Sequence, residues 1–95
     1  MILRVYTIYD SLTKTYSNPF YSINDNVAKR SFCDLVQDVG SLVAKHPEDY
    51  RLCYLADYDD ALGRFQPAEQ PVPICDAMLF VTSQTRRSAG GREES

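Results

Sequence analysis

Residues 46–65 read HPEDYRLCYLADYDDALGRF, and this stretch leaves the chain little choice of local structure. Pro47 disfavours helical backbone at His46, so any helix arriving from upstream stops there. From residue 50 to 58 the side chains alternate. Leu52, Tyr54, Ala56 and Tyr58 point one way, and Arg51, Cys53, Leu55 and Asp57 the other. That period of two predicts a half-buried strand. Residues 59–63 (DDALG) follow as a hairpin loop, with Gly63 at the left-handed bulge position, and residues 64–66 start the returning strand.

The rest of the chain is read around that hairpin. Residues 1–10 (MILRVYTIYD) are rich in Val, Ile and Tyr and hold no Gly or Pro, which predicts a strand. Leu3, Val5 and Tyr9 share one face and Ile2, Tyr6 and Ile8 the other, so both faces call for cover. A polar turn at Asp10, Ser11, Thr13 and Lys14 leads to an extended piece over 15–23, which Pro19 restricts to an edge strand or an irregular crossing. Asn24, Asp25 and Asn26 are candidate N-caps for a helix running to Val39. Val27, Ala28, Phe32, Leu35, Val36 and Val39 lie on its inner side, and Gly40 stands where a left-handed stop is expected. A further helical turn over 41–45 carries Leu42 and Val43 inward. Pro67, Pro71 and Pro73 make the segment after the hairpin extended and weakly paired, and residues 78–81 (MLFV) read as a last short strand.

These elements predict an α+β fold. It has a small antiparallel or mixed sheet of about four to five strands with one main helix on one face. Residues 1–83 form the single domain and 84–95, which lack large apolar side chains, a disordered C-terminal tail. One helix covers one face only, whereas the first strand is apolar on both, so a homodimer is the expected assembly.

Charge and spacing narrow the chemistry. Residues 1–83 carry seven Lys and Arg against eleven Asp and Glu, and an acidic body argues against nucleic-acid binding driven by bulk charge. Three widely spaced cysteines, Cys33, Cys53 and Cys75, have no zinc-site spacing and read as reduced thiols packed as small hydrophobes. Asp57, Asp59 and Asp60 before Gly63 invite a calcium loop. Counting from Asp57, however, Leu62 and Ala68 stand where that loop needs Gly and an acid. His46 beside Glu48 and Asp49 lacks a nucleophile at defined spacing, and there is no Gly-rich phosphate loop. Neither a catalytic set, nor a metal site, nor a cofactor is therefore expected. Arg4 and Asp10 interrupt any apolar leader, and no run reaches membrane-spanning length.

What remains is aromatic side chains interleaved with basic ones. Arg4 and Tyr6 share a strand face, Lys14 and Tyr16 are neighbours, and Arg51 and Tyr54 flank the central strand. Single-strand binders combine such stacking platforms with a basic track. Lys29 and Arg30 on the outer face of the helix form a second candidate patch. The bland alternative assigns the Tyr residues to a core or dimer seam and the cations to solvated ends, and the negative charge favours it.

Four stretches carry a resemblance: YTIYDSLTKTYSNPFYS, VAKRSFCDLVQD, KHPEDYRLCYLADYDDALGRF and PVPI. In order and spacing they resemble the small nonstructural protein of gokushovirus-type microviruses, icosahedral phages with single-stranded DNA genomes. The likeness spans about residues 5–74. It is most specific at Tyr9-Asp10, Pro19-Phe20, residues 46–50 and residues 59–65. The family's usual Gly-Ser-Phe step before the acidic turn is here Ala56-Asp57-Tyr58. The family is likened to the microvirus protein that switches replication from duplex copying to single-strand synthesis coupled to packaging. The resemblance therefore implies a non-enzymatic DNA-replication accessory factor in the cytoplasm of the bacterial host. Its implied partners are single-stranded DNA, the viral replication initiator or procapsid proteins. An adaptor that contacts those proteins without touching DNA is the alternative.

Overall fold

A computed structural model describes residues 1–81; the expected tail over 84–95 lies outside the described residues. The elements run β1 (Ile2–Asp10), β2 (Thr15–Tyr16), β3 (Phe20–Ser22), α1 (Asp25–Gln37), α2 (Leu42–Lys45), β4 (Tyr50–Asp59) and β5 (Arg64–Asp76), with a 3-10 turn at Pro47–Asp49 before β4. The strands form one antiparallel sheet in the order β2-β1-β4-β5, and β3 also pairs with β1. Pro19 divides the expected second extended piece into β2 and β3. β5 is an edge strand, the setting in which Pro67, Pro71 and Pro73 are tolerated.

α1 packs on one sheet face. Ala28, Phe32 and Val36 meet Tyr6, Leu52 and Ala77, with Ile8, Phe20 and Phe80 around them. The helix starts where Asn24 Oδ1 accepts the backbone N–H of Val27 at 2.9 Å. Its end departs from expectation. The helix stops at Gln37, Val39 is 86% exposed, and Gly40 does not adopt positive φ. Ser41 ends it instead: its hydroxyl donates to the Leu35 carbonyl at 2.7 Å and accepts from the Ala44 N–H at 3.0 Å. One side chain thus satisfies a terminal carbonyl of α1 and caps α2. α2 buries Val43 but leaves Leu42 exposed, against the expectation for Leu42.

Residues 78–81 are helical, not a strand. The N–H of Val81 returns to the Ala77 carbonyl, and the Phe80 ring meets Phe32 edge-on at 6.2 Å, so Phe80 and Val81 pack against the core while Met78 and Leu79 stay exposed.

The sheet is irregular where it matters most. Val5 pairs with Ala56 and the next residue, Tyr6, with Tyr54, so Leu55 is an extra residue in β4. A bulge of this kind reverses the facing of the bulged strand. The expected alternation through residue 58 fails for that reason. Leu52 and Tyr54 face the helix with Tyr6 and Ile8, whereas Ala56 and Tyr58 face away with Val5 and Leu3. The helix-free face still buries its central side chains. Val5, Thr7, Cys53 and Ala56 are all buried, and Thr7 Oγ1 donates to the Ser17 carbonyl at 2.8 Å where the chain crosses between β2 and β3.

Candidate functional site

The expected interface residues divide between the two sheet faces. On the helix side the Leu55 bulge brings Tyr54 and Asp57, three positions apart, to the same side as Arg4 and Tyr6. The Arg4 guanidinium carbon lies 4.0 Å from the centre of the Tyr54 ring. Arg4 Nε donates to Asp25 Oδ1 at 3.1 Å and to Tyr6 Oη at 3.1 Å, and Arg4 Nη1 is 3.7 Å from Asp57 Oδ1. The Tyr6 hydroxyl donates to Asp25 Oδ1, and the Tyr54 hydroxyl to Asp57 Oδ1 at 2.8 Å. The Tyr6 hydrogen bond, with Arg4 beside it, holds the Asp25 carboxyl below the usual carboxylate range. Burial, reinforced by Asp25, pushes the Tyr6 phenol up to about 12. Tyr6 is 0% exposed and offers no free ring face. Arg4, Tyr6 and Tyr54 therefore tie β1, β4 and the start of α1 together.

The helix-free face gathers the other aromatics. The register places Tyr16, Tyr9, Arg51 and Asp76 in one row across β2, β1, β4 and β5. The Tyr9 and Tyr16 rings are 4.7 Å apart, and Arg51 Nε donates to Asp76 Oδ1 at 3.0 Å. Farther along, Tyr58 meets Phe65 at 4.9 Å and Tyr21 at 5.8 Å. Tyr16 is 50% exposed, Tyr21 49% and Phe65 57%. Two aromatic groups thus flank the small buried side chains of Val5, Thr7, Cys53 and Ala56. Tyr9, Tyr21, Tyr58 and Phe65 were not among the expected site residues. Tyr9 was legible by alternation within β1, but Tyr58 and Phe65 reach this face only through the bulge.

Of the expected cations, Lys14 is exposed in the β1–β2 turn at φ 60, near the Tyr9–Tyr16 pair in sequence. Lys29 is half-buried on α1 beside the cleft it shares with Arg4 and Asp25, and Arg30 is exposed on α1. Lys14, Tyr16 and Arg51 thus belong to one end of the sheet, and Lys29 and Arg30 to the helix. The Arg51 end is also acidic: Glu48, Asp49 and Asp76 line the same hollow as Tyr9 and Arg51.

Cys33, Cys53 and Cys75 are free, and burial pushes the Cys53 and Cys75 thiols up. Among the described residues no three His, Cys, Asp or Glu are arranged to hold a metal ion, and no helix is long and apolar enough to cross a membrane.

A family model described as "Phage ORF5 protein" matches residues 3–80. The chain is also 35% identical over 88 residues to Protein ORF5 of Chlamydia phage 1, a match that covers 86% of this chain and 92% of that protein. No solved structure matches.

Proposed function

Because the chain belongs to the Phage ORF5 protein family, small proteins of gokushovirus-type microviruses, we propose that it is a nonstructural accessory factor of viral DNA replication and packaging. In this reading it works in the cytoplasm of the bacterial host and contacts single-stranded DNA through the helix-free face. The observation that carries the reading is the pair of half-exposed tyrosines, Tyr16 and Tyr21, on a sheet face that, among the described residues, no helix covers. Stacking on such rings contributes about 1–3 kcal/mol per base and needs no sequence preference.

The charge sets the character of that contact. Lys14 and Arg51 are the cations nearest the Tyr9–Tyr16 end, and Arg51 is shared with Asp76. With about two phosphates neutralised, log K falls against log salt with a slope of about −1.4. Binding is thus dominated by stacking. The test is fluorescence anisotropy of a labelled single strand with micromolar protein at low salt. Binding with that shallow slope, weakened by Tyr16→Ala, supports the reading; no anisotropy change at low salt overturns it.

A second reading is favoured by the acid around Arg51. Glu48, Asp49 and Asp76 repel phosphate and suit a protein partner. In that case a homodimer presents the aromatic face to the replication initiator or a procapsid protein. Partners retained on the immobilised protein after nuclease treatment support this adaptor, and their complete loss counts against it.

A further inference from the structure

Among the described residues, no residue of α1 lines the part of the helix-side face at the β4–β5 hairpin. Two cross-strand rows lie there: Ile2, Asp59 and Arg64, then Arg4, Asp57 and Gln66. Ile2, Asp57, Asp59, Leu62, Arg64 and Gln66 line a cleft of about 440 Å³ between them. That volume is within the range of small-molecule sites, which are mostly apolar with a few placed polar groups. Ile2 and Leu62 supply the apolar walls, each more than half exposed.

The polar groups are specific in kind. Asp59 Oδ1 accepts the N–H groups of Ala61 at 2.9 Å and Leu62 at 3.3 Å, which fixes the carboxylate and leaves Oδ2 free of those bonds. Arg64 faces Asp59 across the strands, yet among the described residues it makes no ion pair. A fixed carboxylate and a guanidinium therefore stand side by side without closing on each other. A cationic ligand is opposed by Arg64 and an anionic one by Asp57 and Asp59. The cleft suits a neutral planar group with two adjacent donors on one edge and two acceptors on the next.

Guanine has that edge pattern. Its N1–H and N2–H groups match a carboxylate, and its O6 and N7 match the arginine fork. We propose that this cleft is a guanine-selective nucleobase site, with Asp59 accepting from the Watson–Crick edge, Arg64 donating to O6 and N7, and Ile2 and Leu62 packing against the ring. The proposal deepens the single-stranded DNA reading and rests on it for its biological ligand. It shares only Phe65, at the rim of the cleft, with the aromatic face, and neither Asp59 nor Arg64 belongs to that face.

The test is calorimetric titration of the full chain with deoxyguanosine monophosphate, its three deoxynucleotide counterparts and inorganic phosphate. Deoxyguanosine monophosphate is expected to bind about tenfold or more tighter than the others. Asp59→Asn and Arg64→Ala are each expected to remove that preference. Both lie at the exposed hairpin end, and an unchanged circular dichroism spectrum confirms that each variant is folded. Equal binding of all four nucleotides, or binding of phosphate alone at the same strength, overturns the site. So does a guanine preference that survives Asp59→Asn. Oligonucleotide binding without guanine preference sinks the cleft and leaves the aromatic-face reading standing. Guanine binding that depends on Asp59, with no oligonucleotide binding, does the reverse.

Discussion

The Arg4 guanidinium rests 4.0 Å from the centre of the Tyr54 ring, and the extra residue at Leu55 is what turns that ring toward it. Arg4 also bridges Asp25 at the start of α1 and Asp57 on β4. A half-buried cation with two carboxylates and an aromatic face is held more firmly than an exposed pair. Arg4→Ala is expected to destabilise the protein by about 1–3 kcal/mol, read from urea midpoints. In a double-mutant cycle with Tyr54→Leu, the coupling should reach at least about 0.5 kcal/mol. Strict additivity would show that the ring and the guanidinium do not interact.

Tyr6 gives the fold an alkaline limit. Burial and Asp25 raise its phenol from 10.0 to about 12. The unfolded chain loses this proton first, so between those values the folded state binds more protons than the unfolded one. Stability is complete below pH 10 and declines as pH rises toward 12. Tyr6→Phe should flatten this part of the pH–stability curve while lowering stability at neutral pH. An unchanged alkaline slope would remove Tyr6 as its source.

Asp25 sets a limit of opposite sign. The Tyr6 hydrogen bond and Arg4 hold its carboxyl below the ordinary 3.8. Its contribution is complete above that value and is lost as pH falls through the lower folded value. Asp25→Asn should therefore be less stable than the parent at neutral pH, and the two should converge in acid. A gap that stays constant down to acid unfolding would contradict the assignment.

The two glycines near element ends should behave differently. Gly63 has φ +66, so Gly63→Ala is expected to cost about 1 kcal/mol although the site is sterically open. Gly40 lacks that conformation, and its added methyl would meet only Asp38 Oδ1 at 3.5 Å, so Gly40→Ala should be neutral within about 0.5 kcal/mol. Lys14, at φ 60, should gain stability on replacement by Gly. Thermal melts of the three variants check the ordering.

The core predicts its own weak point. Phe32 is 1% exposed and meets Phe80 from the last helical turn. Phe32→Ala should cost about 3–5 kcal/mol, a large share of what a domain this size has. Retention of a cooperative melt at nearly the parental temperature would show that the core is packed otherwise.

Alternation, caps and prolines made most elements legible. Asn24 opened α1, Pro47 closed α2, and Gly63 took the left-handed conformation in the hairpin loop, although the strands pair without a bulge there. What stayed hidden depended on partners distant in sequence. No local signal marks Leu55 as the residue left unpaired, because Val5 and Tyr6 on another strand decide it. The facing of Ala56, Tyr58 and Phe65 was hidden with it. Gly40 misled because the helix already ends at Asp38, where the Asp38 N–H and the Ser41 hydroxyl both donate to the Leu35 carbonyl. Residues 78–81 are apolar at every position, so periodicity could not separate a strand from a helical turn, and contact with Phe32 settled it. Arg4, Tyr6 and Tyr54 looked like an interface by composition, whereas their geometry turns them inward on one another.

The prolines of β5 bear on assembly in a further way. An open sheet margin normally invites a neighbour's backbone to extend the ladder, whether as a dimer or as a growing fibre. Pro67, Pro71 and Pro73 break the series of amide donors along this margin. A strand approaching this rim would meet a ladder interrupted at three positions.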